Sequence, residues 1–204
     1  MANFFTDNKD IVFQFERLPL EEVTQILENN YKEAEEFNYA PHDYADALDN
    51  YRRVLELIGD ITANVIAPNA AGVDEEGAHF ENGKVTYAKG TQENMDQLIQ
   101  AELMGFTLPR KYGGLNMPMA IYTMAIEMVA HGDASLMNIF GLQDIAETVQ
   151  RFGSEEQKQE FLPQFSSGEA TGAMALTEPD AGSDLQAVKM HAYQDDNDSG
   201  VCGA

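Results

Sequence analysis

The stretch Met174-Ala-Leu-Thr-Glu-Pro-Asp-Ala-Gly-Ser-Asp184 is the point at which the sequence pattern of this chain changes. A short apolar run stops at Thr177, and a Glu-Pro turn leads into Gly182-Ser183 and an acid. Two hydroxyls, a glycine and the amides of one loop can bind an anion or a polar ring without lysine or arginine. From the pattern alone, a plain turn between two strands is at least as good an interpretation.

The residues before this stretch have the pattern of consecutive helices. Apolar positions at helical spacing predict helices over residues 18–37, 44–66, 91–103, 119–130 and 133–152. Pro68 is expected to end the second of these. Asn82-Gly83 lies between two short apolar pieces and predicts a hairpin turn. Ser154 and Gln157 have the spacing of a capping box, which predicts another helix that continues to about residue 165.

After residue 168 the helical period disappears. The small apolar residues 171–176 predict a buried strand, and residues 187–193 predict a second one. The sequence therefore predicts a mostly α chain with an N-terminal extension helix at 1–40, a helical domain at 41–168 and an incomplete β domain at 169–204. Because two strands do not form a stable domain alone, we expect a truncated or frameshifted gene product, or a deliberately cut chain.

Composition restricts the partners of the protein. Its 204 residues include 12 Lys and Arg against 35 Asp and Glu, a formal net charge of −23. That charge repels nucleic-acid phosphates and anionic lipid, so neither nucleic acid nor a membrane is an expected partner. No apolar run approaches the roughly 20 residues of a membrane helix, and the first residues lack the pattern of a signal peptide. With Cys202 as the single cysteine, a cytoplasmic location is expected.

Several motifs together resemble one enzyme family. The stretch 174–184 resembles the signature loop of the acyl-CoA dehydrogenases. The segment 108–115 with its Tyr-Gly-Gly, the Gly-Asp-Ala-Ser at 132–135, and the residues 152–158, 162–163 and 167–169 are similar to motifs of the same family, in the same order. The resemblance covers residues 52–189. The first forty residues and the hairpin at 74–83 are most similar to the larger bacterial members.

The resemblance implies an N-terminal helical bundle, a β-barrel-like middle domain and a C-terminal bundle that together enclose FAD and an acyl-CoA thioester. A glutamate removes the α proton and the β carbon gives a hydride to the flavin. Electrons leave through an electron-transfer flavoprotein or a similar acceptor, and family members are usually homo-oligomers. By this resemblance the cofactor-binding residues are Met174, Ala175, Leu176, Thr177, Glu178, Pro179, Asp180, Ala181, Gly182 and Ser183.

The same resemblance assigns individual roles. Thr177 would hydrogen-bond the flavin ring, while Gly182 and Ser183 would face the pyrophosphate, with Ser183 also on the substrate side. Asp180 departs from the glycine that is usual at its position and adds a negative charge near phosphates. Met174 stands where the family often has an aromatic residue.

The resemblance places the catalytic glutamate beyond residue 204, so no catalytic residue is expected in this chain and no turnover by it alone. No metal site is expected either, because the four histidines lack metal-ligand spacing. Two alternatives stay open. One is a non-catalytic helical module that self-associates or binds a partner through an exposed apolar face. The other, a DNA-associated relative, is disfavoured by the acidic charge.

Overall fold

The computed structural model describes residues 2–194 and 201–203 of the chain. It divides into two compact units, Met1–Gly172 and Ala173–Ala204. In the described part, the first unit holds the helices α1 (Lys9–Arg17), α2 (Glu21–Leu27), α3 (Tyr44–Ile61), α4 (Ala67–Glu76), α5 (Lys89–Gln100), α6 (Met119–Gly132), α7 (Ala134–Gly141), α8 (Ile145–Phe152) and α9 (Glu155–Ser167). The mostly helical fold class is confirmed, whereas the divisions at residues 40 and 168 stay predictions.

The core of the first unit forms where α3 packs against α6. Asp43 caps α3 by accepting a hydrogen bond from the amide of Asp46, and the buried face of the helix repeats every three or four residues. Burying an aliphatic or aromatic side chain of this kind contributes about 1.5–3 kcal/mol. The largest fully buried side chains of this core include Tyr51, Leu55, Ile58, Phe106, Tyr122 and Phe140.

The prediction that Pro68 ends the α3 helix was wrong. A π-helical turn, Thr62–Ile66, follows α3 without a break, and α4 continues from it. The amide of Ala67 donates to the carbonyl of Thr62, five residues back. The wider turn resets the hydrogen-bond register, so Pro68 occupies the first turn of α4, where a missing N–H is tolerated.

Two other predicted helices are divided. Within residues 18–37 the structure has α2 and a 3-10 turn, Lys32–Glu35, separated by Asn29, Asn30 and Tyr31 with φ of 49°, 55° and 64°. The stretch 133–152 contains α7 and α8 with a 3-10 turn between them, Leu142–Asp144. In both cases the apolar periodicity continued through the end of one helix into the next element, and periodicity alone does not reveal such an end.

Two local predictions are confirmed. The strands β1 (His79–Glu81) and β2 (Lys84–Thr86) form an antiparallel hairpin, and Asn82 and Gly83 at its turn have φ of 51° and 78°. At the start of α9, the hydroxyl of Ser154 accepts from the amide of Gln157 at 3.3 Å. The side chain of Gln157 accepts in return from the amide of Ser154 at 2.8 Å.

The predicted strand at residues 171–176 was wrong. These residues are irregular and mostly exposed, Met174 and Leu176 included, because the described residues offer no neighbouring strand to pair with them. In the second unit, a 3-10 turn at Leu185–Ala187 precedes β3 (Ala192–Gln194). This strand pairs antiparallel with β4 (Val201–Gly203), so the second predicted strand, 187–193, is present only at its end.

Candidate cofactor-binding segment

The second unit bends sharply in the middle of the segment 174–183. The amide of Glu178 donates to the carbonyl of Ala181 at 3.0 Å, and the amide of Ala181 donates back at 3.2 Å. Pro179 and Asp180 form the tip of this turn, where the fixed φ of proline suits the first central position. The bend brings Thr177 close to Gly182, since a Cβ on Gly182 would lie 3.6 Å from the methyl group of Thr177.

The side chain of Glu178 holds this turn to the chain that follows. One carboxylate oxygen accepts from the amide of Lys189 at 2.9 Å, and the other accepts from the amide of Met190 at 2.8 Å. Hydrogen bonds to an ionised acceptor are among the stronger ones in proteins. The Glu178 carboxylate therefore has an internal structural use, which no local sequence pattern could reveal because its partners lie eleven and twelve residues away.

The remaining side chains of the segment are available to a ligand. Met174 is 53% exposed and Leu176 is 46% exposed, and Thr177, Gly182 and Ser183 are exposed as well. Ala181 is buried, and Glu178 is half-buried. The exposed side chains of the segment thus include two apolar ones, Met174 and Leu176, and two hydroxyls, those of Thr177 and Ser183.

The charge of the segment is unfavourable to an anion. Glu178, Asp180 and Asp184 carry negative charge between residues 174 and 190, and Lys189 is the single basic residue in that range. Asp184 uses its carboxylate to accept from the amide of Gln186 at 3.2 Å. A phosphate bound here would rely on backbone amides and hydroxyls, and Asp180 at the tip would oppose it.

Gln143 fixes the end of the first unit and was missed by the sequence analysis. This side chain is 5% exposed. Its oxygen accepts from the amide of Gly172 at 3.2 Å, and its nitrogen lies 3.5 Å from the carbonyls of Phe165 and Ala170. Gln143 therefore sets the path of residues 170–172, which lead to the segment along the chain.

Two other family-like motifs have packing roles in the first unit. Asp133 caps α7, because one carboxylate oxygen accepts from the amides of Ser135 and Leu136 at 2.8 and 3.2 Å. At Gly132, a Cβ would lie 2.7 Å from the Thr62 methyl group, so only glycine fits against the π-helical turn. These contacts give Gly132 and Asp133 a structural use in the first unit.

The first unit also contains a cavity of about 840 Å³ between α4 and the α6–α7 junction. Among the described residues its lining includes Asp74 and Asp133 but no lysine or arginine, so it does not complement a pyrophosphate. Met124 and Met128 are buried in the core and do not line this cavity.

Within the described residues, no group of three or more His, Cys, Asp or Glu side chains is arranged to hold a metal ion. No helix in the described part of the chain has the length and apolar character needed to cross a membrane.

Comparison with known proteins identifies the family. The structure described above is a helical domain, followed by a turn that is rich in small residues and by two short strands. A family model for the acyl-CoA dehydrogenase N-terminal domain matches residues 49–169, more than half of the chain. The chain belongs to the acyl-CoA dehydrogenase family.

Individual relatives agree with this assignment. The 3-methylmercaptopropionyl-CoA dehydrogenase of Ruegeria pomeroyi is 32% identical over 201 residues, which cover 96% of this chain and 31% of that protein. Butyryl-CoA dehydrogenase from Megasphaera elsdenii is 27% identical with a TM-score of 0.60, covering 72% of this chain and 37% of the other.

A third comparison concerns the fold alone. An acyl-CoA dehydrogenase from Bacillus anthracis, solved in complex with FAD, is 22% identical with a TM-score of 0.59, covering 73% of this chain and 24% of the other. The chain spans about a third of the length of the curated relatives that it matches.

Proposed function

We propose that this chain is the N-terminal part of an FAD-dependent acyl-CoA dehydrogenase and that residues 174–183 bind the cofactor. The observation that carries the proposal is the turn at 178–181, which brings Thr177 beside Gly182 and leaves both exposed, together with Ser183. Among the described residues, a Cβ on Gly182 would meet only the Thr177 methyl group within 4 Å, at 3.6 Å, and a glycine at this place leaves room for a ligand to approach the backbone. These features fit a cofactor that has both a polar ring and a pyrophosphate.

The residues of the segment would share the binding. The Thr177 hydroxyl would hydrogen-bond the ring, Met174 and Leu176 would cover it with apolar surface, and the amides at Gly182 and Ser183 would bind the pyrophosphate. Ser183 would also contact the substrate. When bound, the flavin would accept the hydride that leaves the β carbon of the acyl-CoA.

We further propose that the chain alone does not catalyse this reaction. Glu178 is the one glutamate of the segment 174–183, and its carboxylate accepts hydrogen bonds from two backbone amides, so we propose a structural use for it and not that of the catalytic base. The substrate class is an acyl-CoA thioester, in agreement with the substrates in the names of the relatives. By analogy with the family, electrons pass to an electron-transfer flavoprotein and the protein forms homo-oligomers. We propose a cytoplasmic location from the single cysteine, Cys202.

A titration of the purified chain with FAD, followed by flavin fluorescence, tests cofactor binding. We expect saturable binding that is at least tenfold weaker in the Thr177→Ala, Ser183→Ala double variant. The matched control, Thr86→Ala with Ser167→Ala, removes two hydroxyls elsewhere and leaves the affinity unchanged. Asp180→Gly removes the charge at the tip of the turn and tightens binding. Absence of binding at millimolar FAD, with the helices intact by circular dichroism, would reject the proposal for this chain.

One observation favours the non-catalytic alternative as a second candidate. Phe80 is 74% exposed on the β1–β2 hairpin, and Val85 and Tyr87 beside it are also exposed. Such an apolar surface can mediate association. Sedimentation over a hundredfold range of concentration tests this candidate, since association through the hairpin gives a rising mass that Phe80→Ser with Val85→Ser abolishes, and the FAD titration above tests the first candidate separately.

A further inference from the structure

We propose that residues 20–40, here termed the N-terminal strap, form a latch on the acyl-CoA dehydrogenase domain. In this latch, an ion pair of Glu28 holds the strap against the turn at residues 109–116. The unfavourable backbone conformation of residues 29–31 favours release of the strap. The inference goes beyond the proposed function, because the strap precedes the family-matched residues 49–169 while the turn lies within them.

The fastening contact is a buried ion pair between the strap and the turn. The Arg110 guanidinium donates two hydrogen bonds to the Glu28 carboxylate, with Nη1–Oε2 of 2.6 Å and Nη2–Oε1 of 2.9 Å. The side chains are 4% and 0% exposed. A second strap carboxylate, Glu33, lies 3.5 Å from the same guanidinium. The carboxylates that pair with this buried charge therefore both come from the strap.

Two weaker contacts join the same two segments. The side-chain amide of Asn116 donates to the carbonyl of Leu27 at 3.0 Å, and the Arg110 guanidinium lies 5.8 Å from the ring centre of Tyr39. The end of α2 thus contacts the turn at both of its ends. Loss of the strap would remove partners from Arg110 and Asn116 together.

The rest of the strap is weakly held to the protein. Leu20, Thr24 and Ala40 are buried, with Leu20 in the hydrophobic core and the Thr24 hydroxyl 3.3 Å from that of Tyr51. Val23 is 40% exposed, Ile26 is 70% exposed, and most other strap residues are exposed as well. Residues 25–39 contain no buried apolar side chain. Because a segment with few buried apolar contacts opens at a low free-energy cost, the closed position of this part depends strongly on the Glu28–Arg110 pair.

The closed strap carries two unfavourable features. Asn29, Asn30 and Tyr31 are three consecutive residues in the left-handed region, with φ of 49°, 55° and 64°. This conformation disfavours residues other than glycine, although asparagine tolerates it better than tyrosine does. In addition, the buried Nε of Arg110 has no hydrogen-bond partner among residues 2–194 and 201–203.

These features together define two states of the strap. While Glu28 is paired, the charge-assisted hydrogen bonds hold the strap against the strain of residues 29–31. Without that carboxylate, opening hydrates the Arg110 guanidinium and lets Tyr31 leave the left-handed region. Because Arg110 and Asn116 lose their strap partners at the same moment, the turn keeps its backbone hydrogen bonds between residues 105–109 and 114–117 without those contacts, and we expect the turn to loosen together with the strap.

Amide hydrogen exchange of the full chain, with peptides that cover the strap, the turn and α6, tests the latch. In Glu28→Gln we expect exchange of the strap and of residues 105–117 to rise more than tenfold together, with α6 unchanged. The matched control, Asp49→Asn, breaks the exposed pair between Asp49 and Arg53 and leaves every peptide unchanged. An equal rise in α6, or a rise in the strap without the turn, would overturn the proposal.

A second pair of variants keeps the test decisive if Glu28→Gln does not fold. Arg110→Lys keeps the charge but loses the two-pronged hydrogen bond, and strap and turn exchange should again rise together. Tyr31→Gly removes the penalty for left-handed backbone, and exchange in the otherwise wild-type strap should fall several-fold. Faster amide exchange of the strap in Tyr31→Gly would show that the backbone of residues 29–31 is not strained and would overturn this part of the proposal.

Discussion

The buried amide of Gln143 should control the mobility of the chain that leads into the candidate cofactor-binding segment, residues 174–183. Gln143→Leu keeps a side chain of similar size and removes three contacts. Two of these, at 3.5 Å, are longer than an ordinary hydrogen bond, so the contact with the Gly172 amide at 3.2 Å carries most of the effect. Since Gly172 is only half-buried, water partly replaces Gln143, and the loss is about 1 kcal/mol.

The loss of about 1 kcal/mol in Gln143→Leu predicts faster exchange of the Gly172 amide. The amide of Gly172 should exchange roughly fivefold faster in Gln143→Leu, measured by NMR on the full chain, while amides in the middle of α6 keep their rates. Gln164→Leu is the matched control, because Gln164 donates to the Glu160 carbonyl of its own helix and does not contact Gly172. An unchanged Gly172 rate in Gln143→Leu, or the same increase in the control, would refute this reasoning.

Two further predictions concern the stability of the first unit. Gly114→Ala would place a Cβ in overlap with the Leu108 carbonyl oxygen and should lower the free energy of unfolding by more than about 3 kcal/mol. Gly72 lies in a helix with open space around it, so Gly72→Ala should raise the free energy of unfolding by about 0.5–1 kcal/mol. Urea denaturation measures both changes. Burial raises the pKa of Tyr51 to about 12, so its titration should lower stability by up to roughly 1.4 kcal/mol per unit as pH rises from about 10 to 12. Tyr122 adds to this fall, because burial raises its pKa as well. Tyr51→Phe should reduce the slope of unfolding free energy against pH, whereas Tyr87→Phe, at an exposed tyrosine, should leave it unchanged. Equal slopes in the two variants would contradict the assignment of this pH dependence to Tyr51.

Features whose causes are local in the sequence were predictable. Asn82-Gly83 specified its turn because both residues tolerate positive φ, and Ser154 with Gln157 specified a helix start through two reciprocal hydrogen bonds. The helices α3 and α6 also followed from their apolar spacing. The family resemblance rested on motifs such as the Tyr-Gly-Gly segment, in which Gly113 has a φ of 82°.

Features that depend on distant contacts were not predictable. The π-helical turn that accommodates Pro68 is packed against Gly132 on another helix. The Glu28–Arg110 pair joins residues 82 positions apart, and Gln143 contacts residues 22 to 29 positions away. The strand expected at 171–176 failed because strand formation requires a partner, which the residues themselves cannot specify.

The most direct test of the central claim is amide hydrogen exchange of the full chain with and without FAD. The proposal predicts that saturating FAD slows exchange within residues 174–183 and leaves the lining of the cavity between α4 and α7 unchanged. Binding accompanied by protection at that cavity, with residues 174–183 exchanging as in the free chain, would contradict the assignment of the cofactor to this segment.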